Sequence, residues 1–125
     1  MKKVRPFYLN LLKLRLPIGG WVSIFHRASG ALLSLAVPAV LYVLMRSLRS
    51  PEDFQQVSDW FSGVFGWLIS MALIWALLHH FLAGLRHLGF DFGWGEEKFL
   101  ARKTAWVSLI AAVAVTALIA LWRLV

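Results

Sequence analysis

Three long apolar runs limit what this 125-residue chain can fold into. They extend over residues 22–45, 64–88 and 105–124, and each is long enough to supply the roughly 20 residues that a helix needs to cross a bilayer. Because hydrophobic residues make up 60% of the chain, little is left for a soluble domain. The sequence therefore predicts an all-α integral membrane protein with three transmembrane helices, and too little soluble chain to carry a complete enzyme by itself.

The remaining N-terminal part, residues 1–21, is a basic segment broken by prolines and glycines. It contains no compact apolar core followed by a small-residue cleavage site, so we predict no removable signal peptide. We expect this segment to lie along the membrane surface or against a partner protein, and residues 22–125 to form the transmembrane part.

The net charge of +7 is distributed unevenly about the three runs. Nine basic residues flank one side and three flank the other, which is the positive-inside pattern of membrane proteins. We therefore predict a cytoplasmic N-terminus and an outward C-terminus, with charges that orient the spans and do not bind nucleic acid. The nine are Lys2, Lys3, Arg5, Lys13, Arg15, Arg86, Lys98, Arg102 and Lys103, and the three are Arg46, Arg49 and Arg123.

The second run ends in a stretch that carries three of the four histidines. In a helix, His80, Gly84 and His87 follow at i, i+4 and i+7 and share one face. A polar side chain inside a membrane is costly and usually faces a partner, a cavity or a cofactor. The missing side chain at Gly84 would let a flat group come close, so one hypothesis is a haem iron ligand. The alternative is a histidine hydrogen-bonded to a neighbouring helix.

The first run opens with a second polar stripe, in which Ser23, His26, Arg27 and Gly30 fall at i, i+3, i+4 and i+7. A hydroxyl, an imidazole and a guanidinium on one face suit an anionic or carbonyl-bearing ligand. Arg27 could instead reach the lipid headgroups from just inside the membrane. Counting residues from Arg86 places His80 about 9 Å from the level of Arg27, so we expect both stripes to contribute to one site.

Other parts of the chain carry no candidate ligand. We interpret residues 46–63 as a polar outer loop and residues 89–103 as an inner loop whose aromatic and acidic side chains suit either solvent or a soluble partner. The absence of cysteine excludes disulfides, thiolate metal sites and covalent haem attachment through Cys-x-x-Cys-His. Small residues recur every fourth position in the third run, which predicts a face for close helix packing. They are Ser108, Ala112, Thr116 and Ala120.

The two stripes resemble the motifs of a known family, the cytochrome b membrane-anchor subunits of succinate dehydrogenase. The pattern Ser-x-x-His-Arg-x-[ST]-Gly is met by residues 23–30, and His-x-x-x-Gly-x-Arg-His by residues 80–87. Arg5-Pro6 near the start and Asp91 after the second motif also match. The resemblance extends over essentially the whole chain.

This resemblance implies roles for particular residues. The family's axial ligand of haem b matches His80 and not the adjacent His79, and the other axial ligand would come from a second anchor subunit. The quinone-binding serine and arginine match Ser23 and Arg27. The propionate contacts match His26 and again Arg27, with Gly84 and His87 beside the same haem pocket.

The implied function is electron transfer from an iron–sulfur subunit to ubiquinone, whereas a flavoprotein subunit would oxidise succinate. The resemblance also implies a multi-pass protein of the bacterial cytoplasmic membrane. Two alternatives stay open, an anchor subunit of a quinol:fumarate reductase and a haem-free structural anchor. A small transporter is disfavoured because the sequence contains neither an internal repeat nor paired broken helices.

Overall fold

The computed structural model describes residues 16–122, which form four helices and no strand. They are α1 (Ile18–Ser47), α2 (Pro51–Ser62), α3 (Val64–Asp91) and α4 (Lys98–Trp122). The first, third and fourth are long and apolar enough to cross a membrane. The predicted fold class, an all-α integral membrane protein with three spanning helices, is confirmed. Residues 1–15 of the predicted surface segment, and the end of the third predicted span, lie outside the described residues.

The central helix is α3, which packs against α1 on one side and α4 on the other. Its contact with both depends on small side chains, which allow helix backbones to approach closely without a hydrophobic driving force from lipid. Val22 of α1, Ala83 of α3 and Ala105 of α4 are fully buried where the three helices meet. The predicted small-residue face of the last helix is also found there, since Ser108 and Ala112 are buried.

The outer surface of the bundle is apolar. Leu35, Phe65 and Leu118 have exposed fractions of 77%, 80% and 65%, and most large hydrophobic side chains resemble them. In water this surface would be a large association site, whereas lipid tails cover it at little cost. Small and polar residues therefore form the contacts between the helices, and the large apolar residues face the bilayer.

The segment between the first two spans is helical, and the prediction of a loop over residues 46–63 is wrong. Ser50 caps α2 by accepting a hydrogen bond from the backbone N–H of Asp53 at 3.1 Å, and Pro51 occupies the first helical position. Glu52 and Asp53 in the first turn favour the positive end of the helix dipole. Serine, proline and two acids in this order are a helix-start signal that also has the composition of a turn.

A side-chain network joins α2 to the end of α1. Arg46, in the last turn of α1, donates from Nη2 to Gln56 at 2.7 Å and from Nε to Asp53 at 3.4 Å. Arg49 lies 3.8 Å from the second oxygen of the same carboxylate. The connection between α1 and α3 is thus folded back onto α1.

The connection between α3 and α4 is shorter than the predicted loop over residues 89–103, because α3 continues to Asp91 and α4 begins at Lys98. Gly93 and Gly95 have φ of +75° and +79°, values that side chains disfavour. The backbone N–H of Trp94 donates to the carbonyl of Gly89 at 2.8 Å, which closes the turn. The chain therefore reverses within a few residues and holds the first turn of α4 beside the last turn of α3.

Candidate functional site

Three imidazole rings from two helices meet between α1 and α3. The rings of His26 and His80 are stacked, with centroids 4.2 Å apart and planes within 10°. The ring of His87, two turns farther along α3, lies 5.1 Å from that of His26 at an angle of 49°. The structure therefore brings together the histidines of both predicted stripes.

A hydrogen bond fixes the tautomer of His80. Its Nδ1 lies 3.0 Å from the backbone carbonyl oxygen of His26. Because a carbonyl can only accept, the Nδ1 atom must carry the proton and donate. The neutral ring then has an unprotonated Nε2 whose lone pair is available to a metal or a proton donor.

The hydroxyl of Ser29 supports the same contact. Its Oγ donates to the His26 carbonyl at 3.0 Å and lies 3.4 Å from His80 Nδ1. Ser29 is buried, so this arrangement is shielded from competing polar groups. The carbonyl, the hydroxyl and the imidazole form a compact network at the point where α1 crosses α3.

Two glycines shape the surroundings of these rings. A methyl group at Gly30 would lie 2.7 Å from Cε1 of His80, closer than side-chain atoms pack, so glycine is needed to seat the ring against α1. A methyl group at Gly84 would lie 3.5 Å from Nε2 of His26, which is ordinary contact distance. Gly30 therefore lets the ring of His80 lie against α1, whereas a methyl group at Gly84 would meet the ring of His26 at ordinary contact distance.

The predicted quinone-binding residues lie in the N-terminal half of α1. Arg27 is exposed and Ser23 is half-buried. Within residues 16–122, neither side chain takes part in a hydrogen bond or an ion pair. The two side chains lie one helical turn apart and keep their donors free.

His79, whose role the sequence leaves open, is fully buried. Its ring stacks on Trp75 at 5.3 Å and meets the edge of Phe25 at 6.1 Å. Neither ring nitrogen has a hydrogen-bond partner in the described part of the chain. The backbone of Val22 approaches the ring but does not reach hydrogen-bond geometry.

Residue counting predicts His80 about 9 Å from the level of Arg27. In the structure the ring of His80 lies beside that of His26, the residue preceding Arg27. The count assumes that Arg27 and Arg86 lie at one level. Arg86 is instead bonded to α4, where it donates to Thr104 Oγ1 at 3.2 Å and to the carbonyl of Ala101 at 3.1 Å.

Sequence reasoning also missed the roles of Ser29 and Gly30 in seating His80. Gly30 belongs to the predicted polar stripe of α1, so the sequence did indicate a special position there. It did not indicate how closely α1 and α3 approach each other. No three of the histidines and acids among the described residues converge to hold a bare metal ion. The cluster is therefore better suited to supplying a single ligand than a full coordination shell.

Comparison with known proteins identifies the family. Residues 1–120 match the family model described as succinate dehydrogenase/fumarate reductase transmembrane subunit. The chain is similar to the succinate dehydrogenase cytochrome b556 subunit of Paracoccus denitrificans, with 36% identity over 118 residues that cover 94% of this chain and 89% of the relative. It is 32% identical to the cytochrome b556 subunit of Coxiella burnetii over 124 residues, 98% of both chains.

A third relative is matched over a smaller share of both chains. The succinate dehydrogenase cytochrome b560 subunit of Reclinomonas americana is 32% identical over 98 residues, 74% of this chain and 68% of the relative. The chain therefore belongs to the family of succinate dehydrogenase and fumarate reductase transmembrane subunits, which confirms the resemblance inferred from its motifs.

Proposed function

We propose that this chain is the cytochrome b anchor of a succinate dehydrogenase, and that it binds one face of haem b and forms part of a ubiquinone-reduction site. The observation that carries the proposal is the hydrogen bond from His80 Nδ1 to the carbonyl of His26. Histidines that bind metals usually donate their other ring N–H to a carbonyl or carboxylate, which orients the ring and raises its basicity. His80 has this arrangement already in the polypeptide alone.

The residues around His80 fit a haem. Its Nε2 makes no hydrogen bond within residues 16–122 and is not among the buried unpartnered atoms. The lone pair of Nε2 lies in the plane of the ring, so the ring of His26 stacked on its face does not obstruct it. Gly84 places no side chain beside the ring of His26, and His26 and His87 offer polar groups suited to propionates.

When bound, haem b would supply a one-electron carrier. What the chain itself contributes is the orientation of one axial ligand and the exclusion of water around it. Because the described residues offer a single oriented imidazole, the second ligand would come from a second anchor subunit. The proposal that the chain binds haem agrees with the names of its relatives, which describe them as cytochrome b556 subunits.

For the quinone we propose Ser23 and Arg27. Arg27 can hold a fixed positive charge near a carbonyl oxygen, and Ser23 can donate one short hydrogen bond to it. Both donors are free of other partners in the described residues, so binding a quinone would break no existing bond. Donors placed where negative charge develops are among the largest contributions to catalysis.

The experiment that tests the quinone assignment is Ser23→Ala in the intact complex. We expect electron transfer from succinate to ubiquinone to fall by about 100-fold. Oxidation of succinate with an artificial acceptor, haem content and subunit composition should stay unchanged. Ser34→Ala is the matched control, because Ser34 is an exposed serine of the same helix whose hydroxyl bonds only to the backbone of Gly30.

Two results would contradict the assignment. One is normal ubiquinone reduction by Ser23→Ala, and the other is a loss that appears only because the subunits no longer assemble. If the loss is accompanied by an altered haem spectrum, Ser23 acts on the haem pocket and not on the quinone.

We further propose that the chain lies in the bacterial cytoplasmic membrane with its N-terminus inside. It would bind the iron–sulfur subunit, and through it the flavoprotein, at the end where the connection between α3 and α4 lies. The excess of basic residues at that end supports this orientation. A reporter that is active only outside the cytoplasm should be active when fused after Val125 and silent near Gly95, and the reverse pattern would invert the proposed docking face.

A further inference from the structure

A groove of about 760 Å³ lies at the inner end of the bundle, apart from the histidine cluster. It is bordered by the start of α1, the last turns of α3 and the first turns of α4. The lining combines apolar side chains, among them Ile18 and Trp106, with three cations. The cations are Arg86, Lys98 and Arg102.

Arg86 is held rigidly at this groove. Its guanidinium donates to Thr104 and to the carbonyl of Ala101, and it lies 4.4 Å over the ring of Phe90. A methyl group at Gly19 would lie 3.3 Å from Nη2 of Arg86, so the first turn of α1 closes against it. Of the five N–H donors of the guanidinium, only two are used, and they satisfy neutral acceptors.

The three cations lack an acidic partner. Ion pairs within residues 16–122 involve only Arg46 and Arg49 with Asp53, at the opposite end of the bundle. No acidic residue lines the groove, although Glu97 directly precedes Lys98 in the sequence. Basic side chains that meet around one groove between membrane helices, with no acidic partner in the described residues, favour an anionic ligand there.

The position and the apolar side of the groove narrow the class of that anion. Trp21 and Trp106 line it and are 43% and 46% exposed, and tryptophans of this kind lie at the level of lipid headgroups. Lys98 and Arg102 are one turn apart on α4 and reach the groove from the headgroup side. A soluble anion would use the cations alone, whereas a phospholipid would use the cations and the apolar side together.

We propose that this groove binds an anionic phospholipid, with the phosphate at Arg86, Lys98 and Arg102, the headgroup region beside Trp21 and Trp106, and the start of the acyl chains against the apolar lining. Arginine binds phosphate oxygens through paired N–H donors, and clusters of basic side chains at membrane helix ends attract anionic lipids. The inference does not depend on haem or quinone binding, because the groove shares no residue with the histidine cluster or with Ser23 and Arg27.

The test uses the purified, intact complex and native mass spectrometry. Phosphatidylglycerol and phosphatidylcholine with identical acyl chains are titrated separately, and a third titration uses inorganic phosphate. The variant is Lys98→Gln/Arg102→Gln, which leaves Arg86 and its bonds to α4 in place. The matched control is Lys103→Gln, which removes a neighbouring charge that does not line the groove.

We expect the complex to bind phosphatidylglycerol more tightly than phosphatidylcholine, with one binding event weakened by roughly 30-fold in the double variant. Lys103→Gln should keep that event, and inorganic phosphate should not compete for it at comparable concentration. Equal binding of the two lipids, an unchanged double variant, or an equal loss in Lys103→Gln would each overturn the proposal. So would displacement by free phosphate, or a cross-link from a partner subunit that occupies the groove in the lipid-bound complex.

Discussion

His79 and His80 are neighbours in sequence and both meet α1, yet their imidazole rings have different surroundings. His80 faces the crossing with α1, where a carbonyl and a hydroxyl satisfy Nδ1 and leave Nε2 free. His79 faces the closed interior of the bundle, where Trp75 and Phe25 cover its ring and both nitrogens lack partners in the described residues. One ring is oriented for a ligand and the other is enclosed by aromatic side chains.

The difference shows what prepares a polar side chain in a membrane to bind a cofactor. Consecutive residues in a helix point about 100° apart, so one step along the chain moves a side chain into different surroundings. Around His80, Gly30 and Ser29 make both space and hydrogen bonds available. Around His79, Trp75 and Phe25 cover the ring, which is fully buried.

The largest expected effect is that of His80→Leu, which removes the only imidazole with both an oriented Nδ1 and a free Nε2. We expect loss of the b-type absorption bands from the purified complex, measured as a reduced-minus-oxidised difference spectrum. Leucine retains much of the volume, so α1 and α3 should still pack. A normal spectrum in this variant would show that the haem ligand is elsewhere, and simultaneous loss in His79→Leu would point to the other ring.

A smaller effect is expected from Gly30→Ala, because the added methyl group would lie 2.7 Å from Cε1 of His80 and displace the ring. Overpacking of this kind costs about 1–3 kcal/mol, and we expect a shifted haem spectrum with incomplete occupancy. Gly20→Ala is the control on the same helix, since its methyl group would meet Leu16 at an ordinary 3.6 Å. Equal behaviour of the two variants would mean that His80 is not seated against α1 in the assembled protein.

The smallest effect is expected from His79→Leu. Removing two buried, unpartnered nitrogens relieves a desolvation cost of about 1–3 kcal/mol, which offsets the lost stacking on Trp75. The haem spectrum should be unchanged and the thermal stability of the complex should change by no more than about 1 kcal/mol. A large loss of stability would indicate that His79 has a partner in another subunit.

The sequence predicted the class of the fold, because the length and apolar character of each span are properties of single helices. The packing of the His80 ring against α1 depends on how closely the two helices approach, and no local sequence pattern specifies that distance. The need for glycine at position 30 becomes visible only once α1 and α3 are packed together. The prediction of a loop where α2 lies failed for another reason. Ser50 and the residues that follow it form a local helix-start signal, but the same residue types also suit a turn. Arg86 was misplaced because a long side chain can turn toward a neighbouring helix as readily as toward the membrane surface.

The bonds between Arg46 and α2 limit the torsional freedom of α1. A rotation of α1 about its own axis would move His26 away from His80, and the same rotation would swing Arg46 away from Asp53 and Gln56. The two contacts are separated by 20 residues, about 30 Å of helix, so they restrict the rotation of α1 near both of its ends. Each bond of Arg46 is weak by itself at an exposed site. The orientation of His26 therefore depends on contacts along the whole of α1.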